Sequence, residues 1–187
     1  MSGAVWDEVT VILRSQGHKV YCPTLPNAQT HNLNDHLNEV SRVITDNNLD
    51  QVILAGHSYG GLVITGVFNK MPDKITRLVF FDTSIPENGK SLRQIMNGYT
   101  PGSFEEAKVP AFRPFTDPLI FDQEKFNKVP KIYVNCKRSE FFDSCCRQAF
   151  TIVINTCRQN NWDYFVLDSG HLCMKDRPDE TAAILDK

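Results

Sequence analysis

The chain has 187 residues, 41% hydrophobic and 22% charged, with a formal net charge of −2. That is the profile of one globular domain, and it excludes low-complexity and collagen-like chains. The basic excess that nucleic-acid binding requires is missing, no apolar run approaches the roughly 18 residues of a membrane span, and Met1 to Lys19 lacks the basic-then-apolar pattern of a secretory signal. A cytoplasmic protein with no nucleic-acid and no membrane partner is expected.

Short apolar runs alternate with amphipathic stretches. Val5, Val9, Ile12 and Leu13 share one helical face, Gly17 ends that helix, and His18 to Cys22 reads as a strand stopped by Pro23. Leu33, Leu37, Val40 and Ile44 form the stripe of a surface helix. Val52 to Ala55 is a continuous apolar run, as expected of a strand covered on both faces. Leu62, Val63, Val67 and Phe68 mark the next helix, closed by Pro72, and Leu78 to Phe81 the next buried strand. Residues 86–129 break the rhythm and read as an irregular or helical insertion carrying Tyr99, Phe104, Phe112 and Phe115. Strands at Ile132–Val134 and Tyr164–Leu167 then flank a helix through Phe150, Ile152, Val153 and Cys157, and a last helix starts at Pro178. Strands alternating with helices predict an α/β domain over 1–187, with a parallel sheet and helices on both faces.

The six cysteines show no C-x-x-C and no finger-like spacing, so free thiols are expected. A zinc site at the adjacent Cys145 and Cys146 is disfavoured because neighbouring side chains diverge. No metal and no cofactor are expected.

Gly56-His57-Ser58-Tyr59-Gly60-Gly61 follows the most apolar strand and precedes a helix, which is G-x-S-x-G in its required context. A serine at a strand-to-helix turn is held clear of the sheet in a strained backbone, and small residues two before and two after it let neighbouring backbone approach. The Tyr59 N–H at the helix N-terminus can stabilise an oxyanion. Ser58 is the candidate nucleophile. His171 follows the last strand and so lies at the same end of a parallel sheet, which makes it the candidate base. His18 and His31 sit in polar context, His36 reads as lying on a solvated helix face, and His57 as packing in the elbow or lining the pocket.

The chain resembles the α/β-hydrolase fold, and more narrowly its small plant and bacterial esterases and hydroxynitrile lyases. The resemblance rests on Trp6, Gly17 to Val20, Gly56 to Gly61, Phe81 to Glu87, Lys131 to Val134 and Gly170-His171. It implies an eight-stranded sheet, a cap over the site at about 86–129, a serine–histidine–acid triad and no cofactor. Two departures stand out. The strand with which the family begins, ending in a His-Gly-like turn that supplies a second oxyanion N–H, has no counterpart. Two explanations are open: Met1 is internal to a longer protein, which is favoured, or the chain is a decayed homologue. On either, low activity is expected. The family's acid position falls on Ser139. Glu140, next along, and Asp82, after the preceding strand, are candidates of equal rank, with Asp143 third.

The leading functional expectation is hydrolysis of a small carboxylic ester through a serine acyl-enzyme, with Ser58 and His171 acting as a unit. A lyase is the weaker alternative, because Leu172 stands where the lyases carry a lysine. A weakly active or inactive homologue that binds small molecules is the third reading. The expected partner is a small ester, and a homodimer is left open.

Overall fold

The computed structural model describes residues 2–99, 101–106, 108–139 and 147–187. Glu140, Asp143, Cys145 and Cys146 lie outside these. A 3₁₀ turn (Gly3–Trp6) leads into α1 (Asp7–Ser15); α2 (Leu33–Asp46), β1 (Val52–His57), α3 (Gly60–Lys70) and β2 (Ile75–Phe81) follow. The insertion carries α4 (Leu92–Tyr99), α5 (Ser103–Glu106), α6 (Arg113–Thr116) and α7 (Gln123–Lys128). The chain closes with β3 (Lys131–Cys136), α8 (Arg147–Gln159), β4 (Asp163–Leu167), α9 (Cys173–Asp176) and α10 (Pro178–Leu185). No helix among the described residues is long and apolar enough to cross a membrane.

The strands form a four-stranded sheet in the order β1-β2-β3-β4, and every pairing is parallel. Side chains alternate across a strand, so a strand covered on both faces is apolar throughout. Leu78, Phe80 and Tyr133 enter one core with α2, α3, α8 and the insertion, while Val79, Phe81, Ile132 and Val134 enter the other with α1, α9 and α10. The insertion buries Ile95, Met96, Phe104 and Phe121 in the first of these cores, and Lys90 and Leu119 form a bridge at its base.

The strand expected over His18–Cys22 is a correction: these residues have no ladder partner. A cleft of about 650 Å³ separates them from β1, lined on one side by Val20 and Cys22 and on the other by Ile53 and Ala55. A strand exists only through its hydrogen-bonded neighbour, and the cleft keeps the two backbones apart. β1 is therefore an edge strand, with Ile53 41% exposed. The eight strands implied by the resemblance are four among the described residues.

Lys131, which does not line the cleft, is 5% exposed. Its Nζ donates to the carbonyls of Phe126 and Val129 and sits 4.4 Å from the Phe126 ring centroid and 5.3 Å from that of Trp162. No carboxylate among the described residues pairs with it. Desolvation pushes its pKa down to about 8. The folded state then releases this proton before the unfolded state does, so the contribution to stability rises with pH above about 8 and levels off near the unfolded value. Between pH 7.5 and 9.5 the stability of the parent chain relative to Lys131→Met is expected to rise by about 2 kcal/mol. Urea unfolding of both chains at the two pH values checks this, and a constant difference would refute it.

Candidate active site

Parallel strands bring their C-terminal ends to one edge of the sheet, and the site is built there from the residues after β1, β2 and β4. Ser58 has φ 54°, in the left-handed region that a serine rarely occupies. The turn is nonetheless tied into the sheet: the Ser58 N–H donates to Phe81 O (3.0 Å), and the Gly61 N–H closes back on Ser58 O (3.1 Å). The Tyr59 amide lies at the start of α3, and no described backbone bond of this turn uses it.

The glycines flanking Ser58 have unequal roles. A Cβ on Gly56 would lie 2.4 Å from the Gly60 carbonyl oxygen, whereas one on Gly60 would meet nothing within 4 Å. The second close approach falls instead on Gly61, whose Cβ would lie 2.4 Å from Thr83 Oγ1. The symmetry that the motif suggests is therefore absent. Gly56→Ala must push α3 away from β1, against backbone that cannot swing aside. It is expected to cost about 1–3 kcal/mol of stability and 10²-fold or more in any activity that depends on Ser58. Gly60→Ala is expected to match the parent chain in melting temperature and rate, and equal behaviour of the two variants would overturn this account.

Asp82 directly follows β2, with φ 44°, and is fully buried. Its main chain continues the ladder, the N–H donating to Val134 O at 2.9 Å. Its carboxylate Oδ2 lies 2.6 Å from His171 Nδ1, and Oδ1 accepts the Cys136 N–H at 3.4 Å. The Tyr133 hydroxyl braces the turn, donating to Thr83 O (2.6 Å) and accepting from Thr83 N–H (3.2 Å). Burial, reinforced by the Asp82 charge, pushes the Tyr133 phenol pKa up, which keeps it a donor.

Of the candidate residues, Asp82 and His171 are in direct contact, and Ser58 and His171 both border the cleft beside β1. Ser139, at the family's acid position, is buried, and its hydroxyl has no hydrogen-bond partner among the described residues. Glu140 and Asp143 lie outside them. His57 borders the cleft as expected. Burial and the neighbouring His171 push its pKa down to about 3.

His36 is a correction. It is not on a solvated face but fully buried. Its Nε2 donates to Pro26 O and its Nδ1 accepts from the Tyr59 hydroxyl, both at 3.0 Å, and burial lowers its pKa. The Tyr59 ring also meets Phe115 of the insertion at 5.0 Å between centroids. The residue that offers its amide beside Ser58 is thus anchored by its side chain to both α2 and the insertion. The signal for His36 was present in the sequence, since it is three residues after Leu33 and four before Val40, on the edge of the apolar stripe.

Residues 1–184 match the model of the alpha/beta hydrolase family, and the chain belongs to that family. Its relatives include a carbendazim hydrolyzing esterase from Nocardioides sp. (strain SG-4G), 37% identical over 102 residues, which are 50% of this chain and 42% of that protein. A probable esterase, PIR7A, from Oryza sativa subsp. indica is 25% identical over 146 residues, 67% of this chain and 56% of its own length. The chain thus spans about half the length of the curated relatives it matches. Among solved structures, an extracellular alpha/beta-hydrolase from a Paenibacillus species superposes with a TM-score of 0.74 at 21% identity, covering 98% of this chain and 93% of that one. Polyneuridine aldehyde esterase gives 0.74 at 18% identity, with 99% and 93% covered.

Proposed function

We propose that the protein hydrolyses a small carboxylic ester through a serine acyl-enzyme. The observation that carries this reading is the Asp82–His171 pair, set at the cleft that Ser58 also borders. With Nδ1–H donated to a buried carboxylate, the neutral imidazole of His171 leaves Nε2 as the basic nitrogen. Ser58 Oγ attacks the ester carbonyl while Nε2 takes its proton. The Tyr59 N–H, in the dipole field at the start of α3, stabilises the oxyanion. The imidazolium, stabilised by Asp82, returns the proton to the leaving alcohol, and water then attacks the acyl-serine with His171 again as base. Asp82 keeps its charge throughout and acts through the tautomer and orientation of His171.

The names of the esterase relatives support this chemistry. Leu172, 42% exposed beside His171, offers no charge to a departing cyanide, which sets the lyase reading aside. The binding-homologue reading differs in turnover. The test is p-nitrophenyl acetate hydrolysis by the chain, with mass-spectrometric mapping of a fluorophosphonate adduct. Catalytic turnover with the label on Ser58 is expected. Ligand binding without turnover, or a label elsewhere, would overturn the proposal.

A further inference from the structure

His57 takes no part in the chemistry above, yet it makes a contact that bears on it. It is the last residue of β1, directly before Ser58, and its Nε2 donates to the main-chain carbonyl of His171 at 2.7 Å. The two rings lie 4.3 Å apart between centroids, inclined at 49°. The loop leading to His171 is tied elsewhere by other groups: Gly170 N–H to Asp176 Oδ2 at 2.8 Å, and Arg138 N–H to Ser169 O at 2.9 Å. Both bonds fix residues before His171, and both anchor the loop to elements other than β1. The His57 bond joins the His171 main chain to the strand that carries the nucleophile.

From this geometry we infer that His57 is a positioning residue, which locks the His171 loop to the end of β1 and so sets the imidazole against both Asp82 and Ser58. The bond fixes the His57 tautomer, because a carbonyl accepts only, so Nε2 carries the proton and Nδ1 is bare. Burial beside His171 keeps the ring neutral across the physiological range. A neutral ring can press against His171 without opposing the charge that forms there during turnover. A charged side chain at this position would repel the imidazolium.

The inference rests on the hydrolase reading for its kinetic consequence but not for its structural one, and the experiment separates the two. His57→Leu removes the donor at similar volume, His57→Asn carries an amide too short to reach the carbonyl, and His57→Gln can still donate to it. Leucine and asparagine are expected to lower kcat by about 10–100-fold with KM nearly unchanged, as misplacement of a catalytic group by about an ångström does. Glutamine is expected to recover most of the rate. In parallel, proton NMR follows the downfield His171 Nδ1–H held by Asp82. It should be sharp in the parent and glutamine chains and broadened or lost in the other two. The asparagine chain carries the test if the leucine chain fails to fold. Unchanged kcat together with an unchanged resonance in the donor-less variants would overturn the inference. If the resonance follows the expected pattern but the parent chain turns over no ester, the positioning role stands and the hydrolase reading falls.

Discussion

Replacing Ser58 by alanine is expected to lower ester hydrolysis by about 10⁴–10⁶-fold and to leave the fold in place. The magnitude follows from the proposed mechanism, in which serine, base and acid act as a unit and loss of the nucleophile removes nearly all that the group contributes together. The fold is expected to survive because the turn is held by main-chain bonds that alanine keeps: Ser58 N–H to Phe81 O and Gly61 N–H to Ser58 O. Alanine meets the same left-handed backbone, φ 54°, at a cost close to that of serine. Ser58→Gly makes the contrast, since glycine occupies that region freely. It should gain roughly 1 kcal/mol of stability while losing activity to the same degree, the mark of strain held at a working site. Circular-dichroism melts and p-nitrophenyl acetate rates for the three chains check both parts. Hydrolysis that persists in either variant would move the nucleophile elsewhere.

Most of the elements around this site are visible in the apolar pattern, because each depends on local information. Leu78–Phe81 is an uninterrupted apolar run and is covered on both faces, whereas the equally apolar Val52–Ala55, expected to be covered likewise, leaves Ile53 41% exposed to the cleft, because the cover depends on a neighbour that local pattern does not show. Ser58 is legible because its strain demands small neighbours in a fixed local order. His171 is legible because a parallel sheet sends the end of every strand to the same edge. What the sequence hides is which groups meet across distance. Asp82 and His171 are 89 positions apart and meet only through the β2–β3–β4 order, so nothing local separates Asp82 from Glu140. His18–Cys22 has the pattern of a strand, but pairing requires a neighbour, and the cleft beside β1 lies where that neighbour would have to be. The His57 bond ends on a main-chain carbonyl, an atom every residue has, and no side-chain pattern announces it.

That choice between carboxylates sets the second large expected effect. Asp82→Asn should lower ester hydrolysis by about 10³–10⁴-fold, and Glu140→Gln should leave it close to the parent rate. Asparagine is the informative replacement, because it keeps the size of aspartate and tolerates the left-handed backbone at φ 44°. Its amide oxygen can still accept the Cys136 N–H that Asp82 Oδ1 accepts, and its own N–H can still reach Val134 O, so the β2 end should stay in place. What changes is the partner of His171 Nδ1. The buried carboxylate lies 2.6 Å from Nδ1, and in the proposed mechanism it accepts the Nδ1 proton and stabilises the imidazolium that would form on deprotonation of Ser58. A neutral amide stabilises that charge far less, and if its NH₂ turns toward the ring, the proton moves to Nε2 and the base is lost. The loss should therefore fall on kcat, with KM little affected, since the carboxylate is fully buried and its contact toward the site is the imidazole of His171. Rates and melting temperatures of the two single variants against the parent chain decide the matter. A full rate in Asp82→Asn with a collapse in Glu140→Gln would assign the acid to the residue beside Ser139. Full rates in both would mean that Ser58 and His171 work without either carboxylate.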